Sequence, residues 1–355
     1  MAIRVNIGMA GIALQSDDST RATTPKYVHG LTGGQPFGIT REASSTSVAC
    51  GTRADTDGYV SSIEANPNFN TLGYADVLPL YYYAALGNIV STAATAADLP
   101  AGATAADQPA GATPTGYYKH VITMGKQLPS CTLWGQVGAD NYGVTEGCKI
   151  NSLGCEFTGN DPLAFSVEAI GKDAEFLDAD PFDGMDPSCF NGYFIPTDGT
   201  FKLDTAGTTP EYATVMSGSV TIGNDCEGFR ACGKVFAAEV GEGKCSVAPS
   251  FTVVPDDITP YREMVTGSSA GTKPVARIVY GSYHLGFSHS EDPNCTLQFD
   301  GNRVPFTADF VEVDPDGRSG EFTFSADASY VASKDASPVT VTIVNKVKSY
   351  APPTA

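Results

Sequence analysis

The feature that most constrains the fold of this chain is an internal repeat. Three landmarks occur twice among the 355 residues, in the same order and at similar spacing. They are an Ala-Cys-Gly turn, a helix-like segment with an early proline and a closing glycine, and a Cys-Thr-Leu triplet. The two copies lie at 49–51 and 231–233, at 76–87 and 257–267, and at 131–133 and 295–297. A repeat of this kind predicts one structural unit that is used twice.

Each Cys-Thr-Leu triplet opens a strand-like run, and a turn and two further strand-like runs follow it. The runs at 147–157 and 163–170 in the first half correspond to those at 303–313 and 320–328 in the second half. This order of elements predicts a structural duplication. Chance similarity among Cys, Gly and Thr in a β-rich chain remains the alternative, because each matching tripeptide is short.

The residues between the landmarks favour short strands. The chain contains 38 Gly and 23 Pro, with frequent Val, Thr, Tyr and Phe between them, and 42% of its residues are apolar. β-Branched and aromatic residues favour strands, whereas Gly and Pro mark turns. Clear strand candidates are 131–137 and 339–347. The Gly-Asn-Asp-Pro sequence at 159–162 predicts a turn between two antiparallel strands.

Two segments have the signals of a short helix. In the segment at 75–87 we expect Asp76 as the N-cap, Pro79 in the first turn and Gly87 at the end of the helix. The segment at 257–267 has the same features in the second half of the chain. The sequence therefore predicts a mainly all-β protein of two tandem domains, each with one short flanking α-helix.

Changes in composition predict the domain boundaries. Residues 1–35 are polar and irregular, and we expect an N-terminal arm there. The first domain is expected at 36–175, with a flexible, low-complexity insertion at 91–116 that contains the unit PAGAT twice. A linker rich in Asp and Pro is expected at 176–197, and the second domain at 198–350.

The charge of the chain is strongly acidic. There are 40 Asp and Glu against 21 Lys and Arg, which gives a net charge of −19. Proteins that hold nucleic acid through its phosphates need clustered Lys and Arg, so we do not expect this chain to bind nucleic acid in that way. Solubility alone is an equally good reason for the acidity.

The cysteines and the apolar segments indicate reduced thiols and no membrane partner. The nine cysteines are odd in number, and residues 1–15 lack the pattern of a signal peptide, so we expect thiols packed as small apolar side chains. Cys148 and Cys155 lie seven apart on one predicted strand and are expected on opposite faces, not bonded to each other. No apolar stretch approaches the ~20 residues of a membrane span.

No group of residues has the spacing of a catalytic, cofactor-binding or metal-binding site, and we predict none. His284 and His289 are spaced as two zinc ligands can be, but no Cys or acidic residue stands at a suitable spacing. The Asp-Pro-Asp-Gly sequence at 314–317 forms a β-turn without needing calcium. With one Trp, Trp134, the chain lacks the aromatic platforms of a glycosidase. We therefore do not expect an enzyme.

Several segments resemble the tail tube proteins of long-tailed phages. The most specific are LPSCTLWGQVG at 128–138, GCKINSLGCEF at 147–157 and FSVEAIGKD at 165–173, which follow one another as the corresponding strands of that family do. The insertion at 91–116 and the number of cysteines depart from the family pattern. Looser similarities lie in TPKYV at 24–28, LYYYAALGN at 80–88, SGSVTIGND at 217–225 and PYREMVTGS at 260–268.

The resemblance implies domains of the tail-tube β-sandwich or β-barrel type. It implies a structural protein of the virion that assembles in the host cytoplasm into stacked rings, trimeric or hexameric, through which phage DNA is ejected. The implied partners are other copies of the chain, the tape measure protein inside the lumen, and the tail terminator and tail tip or baseplate proteins. DNA is expected to pass without specific binding, repelled by carboxylates that line the lumen.

Two other classes of protein fit part of the sequence. A capsid decoration protein or a tail fibre module has a similar β-rich composition, but is not expected to contain a tandem duplication with one helix per copy. A virion glycosidase or peptidase needs a clustered set of acid and base residues. The tail tube subunit is the interpretation that the repeat and the resemblance favour together.

Overall fold

The computed structural model describes residues 6–46, 57–99, 116–205, 215–255, 257–310, 320–334 and 336–350. In these residues the chain forms twenty-one strands, two α-helices and two short 3₁₀ helices. The expectation of a mainly all-β fold is therefore confirmed. The first Ala-Cys-Gly landmark, most of the low-complexity insertion and the Asp-Pro-Asp-Gly turn lie outside the described residues.

The elements of the first half comprise twelve strands, one α-helix and one 3₁₀ helix. In chain order they are β1 (Gly8–Leu14), β2 (Tyr27–Gly30), β3 (Gly33–Gln35), β4 (Ile39–Thr46), β5 (Asp57–Ala65), β6 (Asn68–Leu72), α1 (Leu78–Leu86), β7 (Gly87–Ala93), a 3₁₀ helix (Ala96–Asp98), β8 (Tyr118–Met124), β9 (Cys131–Val137), β10 (Tyr142–Thr158), β11 (Ala164–Ile170) and β12 (Asp173–Leu177).

The second half contains nine strands and the second α-helix. In chain order its elements are a 3₁₀ helix (Ser188–Phe190), β13 (Phe194–Asp204), β14 (Val215–Gly223), β15 (Glu227–Phe229), β16 (Glu239–Gly241), β17 (Ser246–Val253), α2 (Thr259–Thr266), β18 (Gly281–His289), β19 (Thr296–Val304), β20 (Phe322–Ser325) and β21 (Thr340–Asn345).

Strand β10 connects two parts of one large sheet because it is seventeen residues long. Its first part pairs with β9 and β12, and β9 continues the sheet to β1 and β2. Its second part pairs with β11 on one side and β14 on the other. The order of that seven-stranded part is β3-β6-β11-β10-β14-β17-β20, and we call it the seven-stranded sheet.

A six-stranded sheet lies against one face of the seven-stranded sheet. Its order is β13-β18-β19-β21-β8-β7, so it also contains strands from both halves of the chain. Aromatic rings pack between the two sheets: Phe157 contacts Phe287, and Phe251 contacts Tyr283, each with ring centroids 5.2 Å apart. These contacts and their neighbours form one continuous apolar core.

Helix α1 is buried in this core. Every residue from Leu78 to Leu86 is buried except Tyr83, and the ring of Tyr82 makes edge contacts with Phe165 of one sheet and Phe299 of the other. The helix ends where predicted, because Gly87 takes the left-handed conformation with a φ of 90°. The predicted N-cap is wrong: Val77 occupies that position, and the Asp76 carboxylate accepts a hydrogen bond from Ser188 instead, at 2.7 Å.

Two regions predicted as irregular are built into the fold. Part of the predicted arm forms β1, which is paired with β2 on one side and β9 on the other, so the irregular reading is wrong for those residues. The predicted linker contains Phe182, which is 4% exposed and packs against Tyr142, and its last residues already belong to β13. The signal was missed because strands buried on both faces do not alternate apolar and polar residues.

The two halves of the chain share both large sheets. Strands β10 and β14 pair antiparallel over seven residue pairs, from Ser152–Gly223 to Thr158–Ser217. Within each half the same pairing occurs: β11 returns to β6, which precedes α1, and β20 returns to β17, which precedes α2. This order of strands follows the internal repeat. The predicted domain boundaries remain predictions, and the sheets cross them.

Candidate assembly surfaces

One face of the seven-stranded sheet is open to solvent, and we call it the open face. Along each strand its side chains alternate with buried apolar side chains that face the core. All residues of the open face are exposed or half-buried except Gly154, which is buried. They are mostly Ser, Thr, Gly and Asn: Gly33, Gln35, Asn68, Asn70, Leu72, Ser152, Gly154, Glu156, Thr158, Ala164, Ser166, Glu168, Ser217, Ser219, Thr221, Gly223, Ser246, Ala248, Ser250, Thr252, Thr323 and Ser325.

Strand register makes this face continuous across the two halves. Ser166, Gly154 and Thr221 lie side by side on β11, β10 and β14, because their registers pair them directly. Ser166 closely approaches the backbone of Gly154, because a Cβ at Gly154 would lie only 2.5 Å from the Ser166 hydroxyl. On β17 and β20 the hydroxyls of Thr252 and Thr323 are 3.2 Å apart. The result is a close-packed surface of short polar side chains.

The open face carries almost no charge. Its two ionisable residues are Glu156 and Glu168, both exposed. The seven described strands contain a single Lys or Arg, Lys149 of β10. That lysine is buried and pairs with the carboxylate of Glu242, which follows β16. The cation is therefore neutralised and is not presented to solvent.

The two edges of the seven-stranded sheet have few partners within the described residues. At one edge β3 pairs with β6 alone, over Gly33, Gly34 and Gln35. A side chain at Gly34 would meet the backbone of Asn68 at 2.5 Å, so the close approach of these strands requires glycine. At the other edge β20 has one isolated bridge, from Ser325 to Thr307. Exposed strand edges can add a further strand from another chain.

A groove of about 850 Å³, lined by polar and apolar residues in similar measure, lies beside β3. Phe176 of β12 stands at its rim and is 71% exposed, although its ring makes an edge contact with Phe37 at 5.8 Å. Ile7 is also exposed there. Large apolar side chains at the surface are characteristic of protein–protein contacts.

The histidines singled out in the sequence do not meet at one site. His284 Nδ1 lies 2.6 Å from Asp300 Oδ1, whereas the ring of His289 accepts hydrogen bonds from the backbone of Glu291 and Asp292. Across the described ranges, no three His, Cys, Asp or Glu side chains converge in a way that could hold a metal ion. Neither described helix has the length and apolar character of a membrane-crossing helix.

The buried thiols have the chemistry of core side chains. Cys131, Cys148 and Cys155 are free and buried. Burial raises the pKa of Cys131 to about 12 and raises the pKa of the other two thiols as well, which keeps them protonated at neutral pH. The expectation that Cys148 and Cys155 lie on opposite faces is wrong. A β-bulge between Ile150 and Ser152 shifts the alternation, and both side chains join the same core.

The open face was not identified from the sequence as a surface. Its signal is present in SGSVTIG at 217–223 and SVAPSFT at 246–252, where small polar residues alternate with Val, Ile and Phe. No family model matches this chain, and no curated protein matches it in sequence.

Proposed function

We propose that this protein is the structural subunit of a hollow tube, a tail tube protein of a long-tailed phage. The observation that carries the proposal is the seven-stranded sheet, which joins the two halves through β10 and β14 and has a little-paired strand at each end. The resemblance of residues 128–173 to tail tube proteins supports the assignment of this sheet to a tail tube. In this proposal the chain acts by assembly.

The junction of the halves supports ring formation. In the sheet β14 is the neighbour of β17, as β3 is the neighbour of β6, so β14 and β3 occupy equivalent positions in the two repeats. The pairing of β10 with β14 therefore joins the last strand of the first repeat to the first strand of the second. In the internal repeat, the bridge between β20 and Thr307 corresponds to the pairing of β11 with the middle of β10. If β3 of a second copy meets the edge at β20 and Thr307, the same contact repeats between chains. Identical head-to-tail contacts form a closed ring when the rotation between copies closes.

The mass distribution supports an inward position for the open face. Helix α1 and the six-stranded sheet cover the other face of the seven-stranded sheet. Within the described residues, the open face has no such layer packed against it. In the proposed ring the covered face, which carries the bulk of the chain, points outward. The open face then surrounds the channel, and the rest of the chain forms the wall.

The remaining functional predictions follow from this proposal. The subunit contacts other copies within and between rings, the tape measure protein during assembly, and the terminator and tip proteins at the two ends of the tube. DNA passes through the channel without specific binding. The protein resides in the virion tail after assembly in the host cytoplasm.

Electron microscopy of the purified, concentrated protein tests the proposal. We expect stacked rings or hollow tubes, with three chains in each ring if the two repeats occupy two positions of a pseudo-sixfold ring. Six chains per ring would show that the repeat lies within one position. Monomers or closed dimers at every concentration would contradict the proposal and favour a decoration or fibre protein.

A further inference from the structure

We infer that the open face lets DNA pass because its described residues offer the phosphates no accessible cation, and that carboxylate repulsion contributes little. This inference rests on the proposed tube function and names the chemistry of the surface along which the DNA moves. It differs from the expectation, implied by the resemblance, that carboxylates lining the lumen repel the DNA.

The distribution of charge carries the argument. The chain has 40 acidic residues, but among the described residues the open face presents only Glu156 and Glu168. They lie on the neighbouring strands β10 and β11, and in register Glu156 pairs with Ala164 and Glu168 with Ser152. Strands β14, β17 and β20 contribute no ionisable residue to this face. Most of the acidity of the chain therefore lies elsewhere.

The single lysine of the seven strands strengthens the argument. Lys149 shares its side of β10 with Ile170 of β11, and so lies on the side of the open face. Its side chain is 9% exposed, and Glu242 covers and pairs with the ammonium group. The fold therefore removes from the surface the one cation that these strands contain.

Duplex DNA is held by protein chiefly through cations at its phosphates, because binding releases condensed counterions. A face without accessible Lys or Arg lacks this source of affinity whether or not it is acidic. Its Ser and Thr hydroxyls hydrogen-bond equally well to water, so contact with a phosphate gains little. Short side chains and the absence of aromatic rings on the described part of this face also leave no platform for base stacking.

Two double variants of the full chain, together with a third as a size control, separate the two explanations. Glu156→Gln with Glu168→Gln removes the carboxylates of the open face. Ser166→Lys with Ser219→Lys introduces two cations there, and Ser166→Gln with Ser219→Gln is the uncharged control for side-chain size. Tubes of each variant are checked by electron microscopy, mixed with a fluorescent duplex of known length, and sedimented at increasing salt concentrations.

We expect the glutamine-for-glutamate tubes to retain no more DNA than wild-type tubes, within twofold. The lysine tubes should retain about tenfold more at low salt, with a log–log salt slope steeper by about 0.9 for each phosphate contacted. A charge control, Thr92→Lys with Asn302→Lys, places two lysines at exposed positions of the six-stranded sheet and should behave as wild type.

Three outcomes would overturn the inference. Strong DNA retention by the glutamine-for-glutamate tubes would show that carboxylates prevent adhesion. Equal retention by the two lysine variants would show that the open face has no special exposure to DNA. If the wild-type chain forms no tubes, the proposed function is wrong, and this inference, which depends on it, is wrong as well. If only the lysine variant fails to assemble, the comparison of glutamine-for-glutamate tubes with wild-type tubes still tests whether carboxylates prevent DNA adhesion.

Discussion

At the scale of single residues, the buried polar groups depend on specific partners in the core. His29 is fully buried, although its ring is ionisable. The backbone carbonyl of Gly30 accepts a hydrogen bond from Nδ1, and Nε2 accepts one from the hydroxyl of Tyr81 on helix α1 at 2.8 Å. Burial lowers the pKa of His29 to about 4, so the ring is neutral in the folded protein at pH 7. This neutral histidine links the large sheet to the helix.

Stability should therefore fall as the pH is lowered through the range between the unfolded and folded pKa values of His29. The unfolded chain takes up a proton near pH 6.5 and the folded chain only near 4, so acid favours unfolding. Between pH 7.5 and 5 we expect His29 to account for a loss of about 2 kcal/mol in unfolding free energy.

Urea unfolding of wild type and His29→Gln at the two pH values measures this loss. The variant should show a pH dependence smaller by about that amount, while His284→Gln, on a half-exposed ring, serves as the control substitution. An unchanged pH dependence in the His29 variant would assign the acid sensitivity to other groups.

At the scale of elements, the two helices have similar ends in different surroundings. Each ends at a glycine in the left-handed conformation, with a φ of 90° at Gly87 and 74° at Gly267. A Cβ on Gly87 would lie 2.4 Å from the backbone oxygen of Gln127, whereas the nearest atom to a Cβ on Gly267 is 3.6 Å away. Helix α1 is thus fixed in the core at its C-terminus, and helix α2 is not.

The two glycine-to-alanine substitutions should therefore differ in cost. Gly267→Ala bears the conformational penalty of a left-handed alanine, about 1 kcal/mol. Gly87→Ala adds a clash with backbone that cannot move aside, and we expect about 3 kcal/mol in total. Chemical denaturation of both variants measures the difference. Equal losses would mean that the turn at Gln127 yields, and that α1 is less tightly held than its contacts indicate.

At the scale of the whole molecule, two of its surfaces differ in chemistry. The open face is polar and smooth, whereas the groove beside β3 exposes Phe176 and Ile7. Apolar surface in a self-assembling chain favours contact with another copy, because association removes it from water. The groove also adjoins a strand edge, so backbone pairing and apolar burial can act together there.

Replacing Phe176 by Ser should weaken assembly without weakening the fold. The side chain is 71% exposed, so the unfolding free energy should change by no more than about 0.5 kcal/mol. The concentration needed for tube formation should rise about tenfold, as expected for the loss of one aromatic contact residue. Light scattering against protein concentration measures it, with Phe176→Leu as the apolar control. Identical curves for Phe176→Ser and wild type would place the groove outside the interface.

The sequence by itself determined the features that depend on neighbouring residues. Alternating side chains identified β11, because a half-buried strand has a period of two residues, and β-favouring residues between turns identified β9 and most of β10. Pro and Gly located α1 and α2 to within a few residues, because both restrict the backbone locally. The internal repeat also matched the runs that form β11 and β20, and each of these strands lies beside the strand that precedes the helix of its half.

Only the tertiary structure decided which distant strands meet and which surfaces they leave open. Strand β1 is fixed by its partners β2 and β9, and its residues alone show no alternation. One extra residue in a bulge brings Cys148 to the side of Cys155, and pairing of β10 with β14 joins two open faces into one. Net charge is a sum over the chain, whereas the charge of a surface depends on register. A chain with a net charge of −19 therefore folds with a nearly neutral open face.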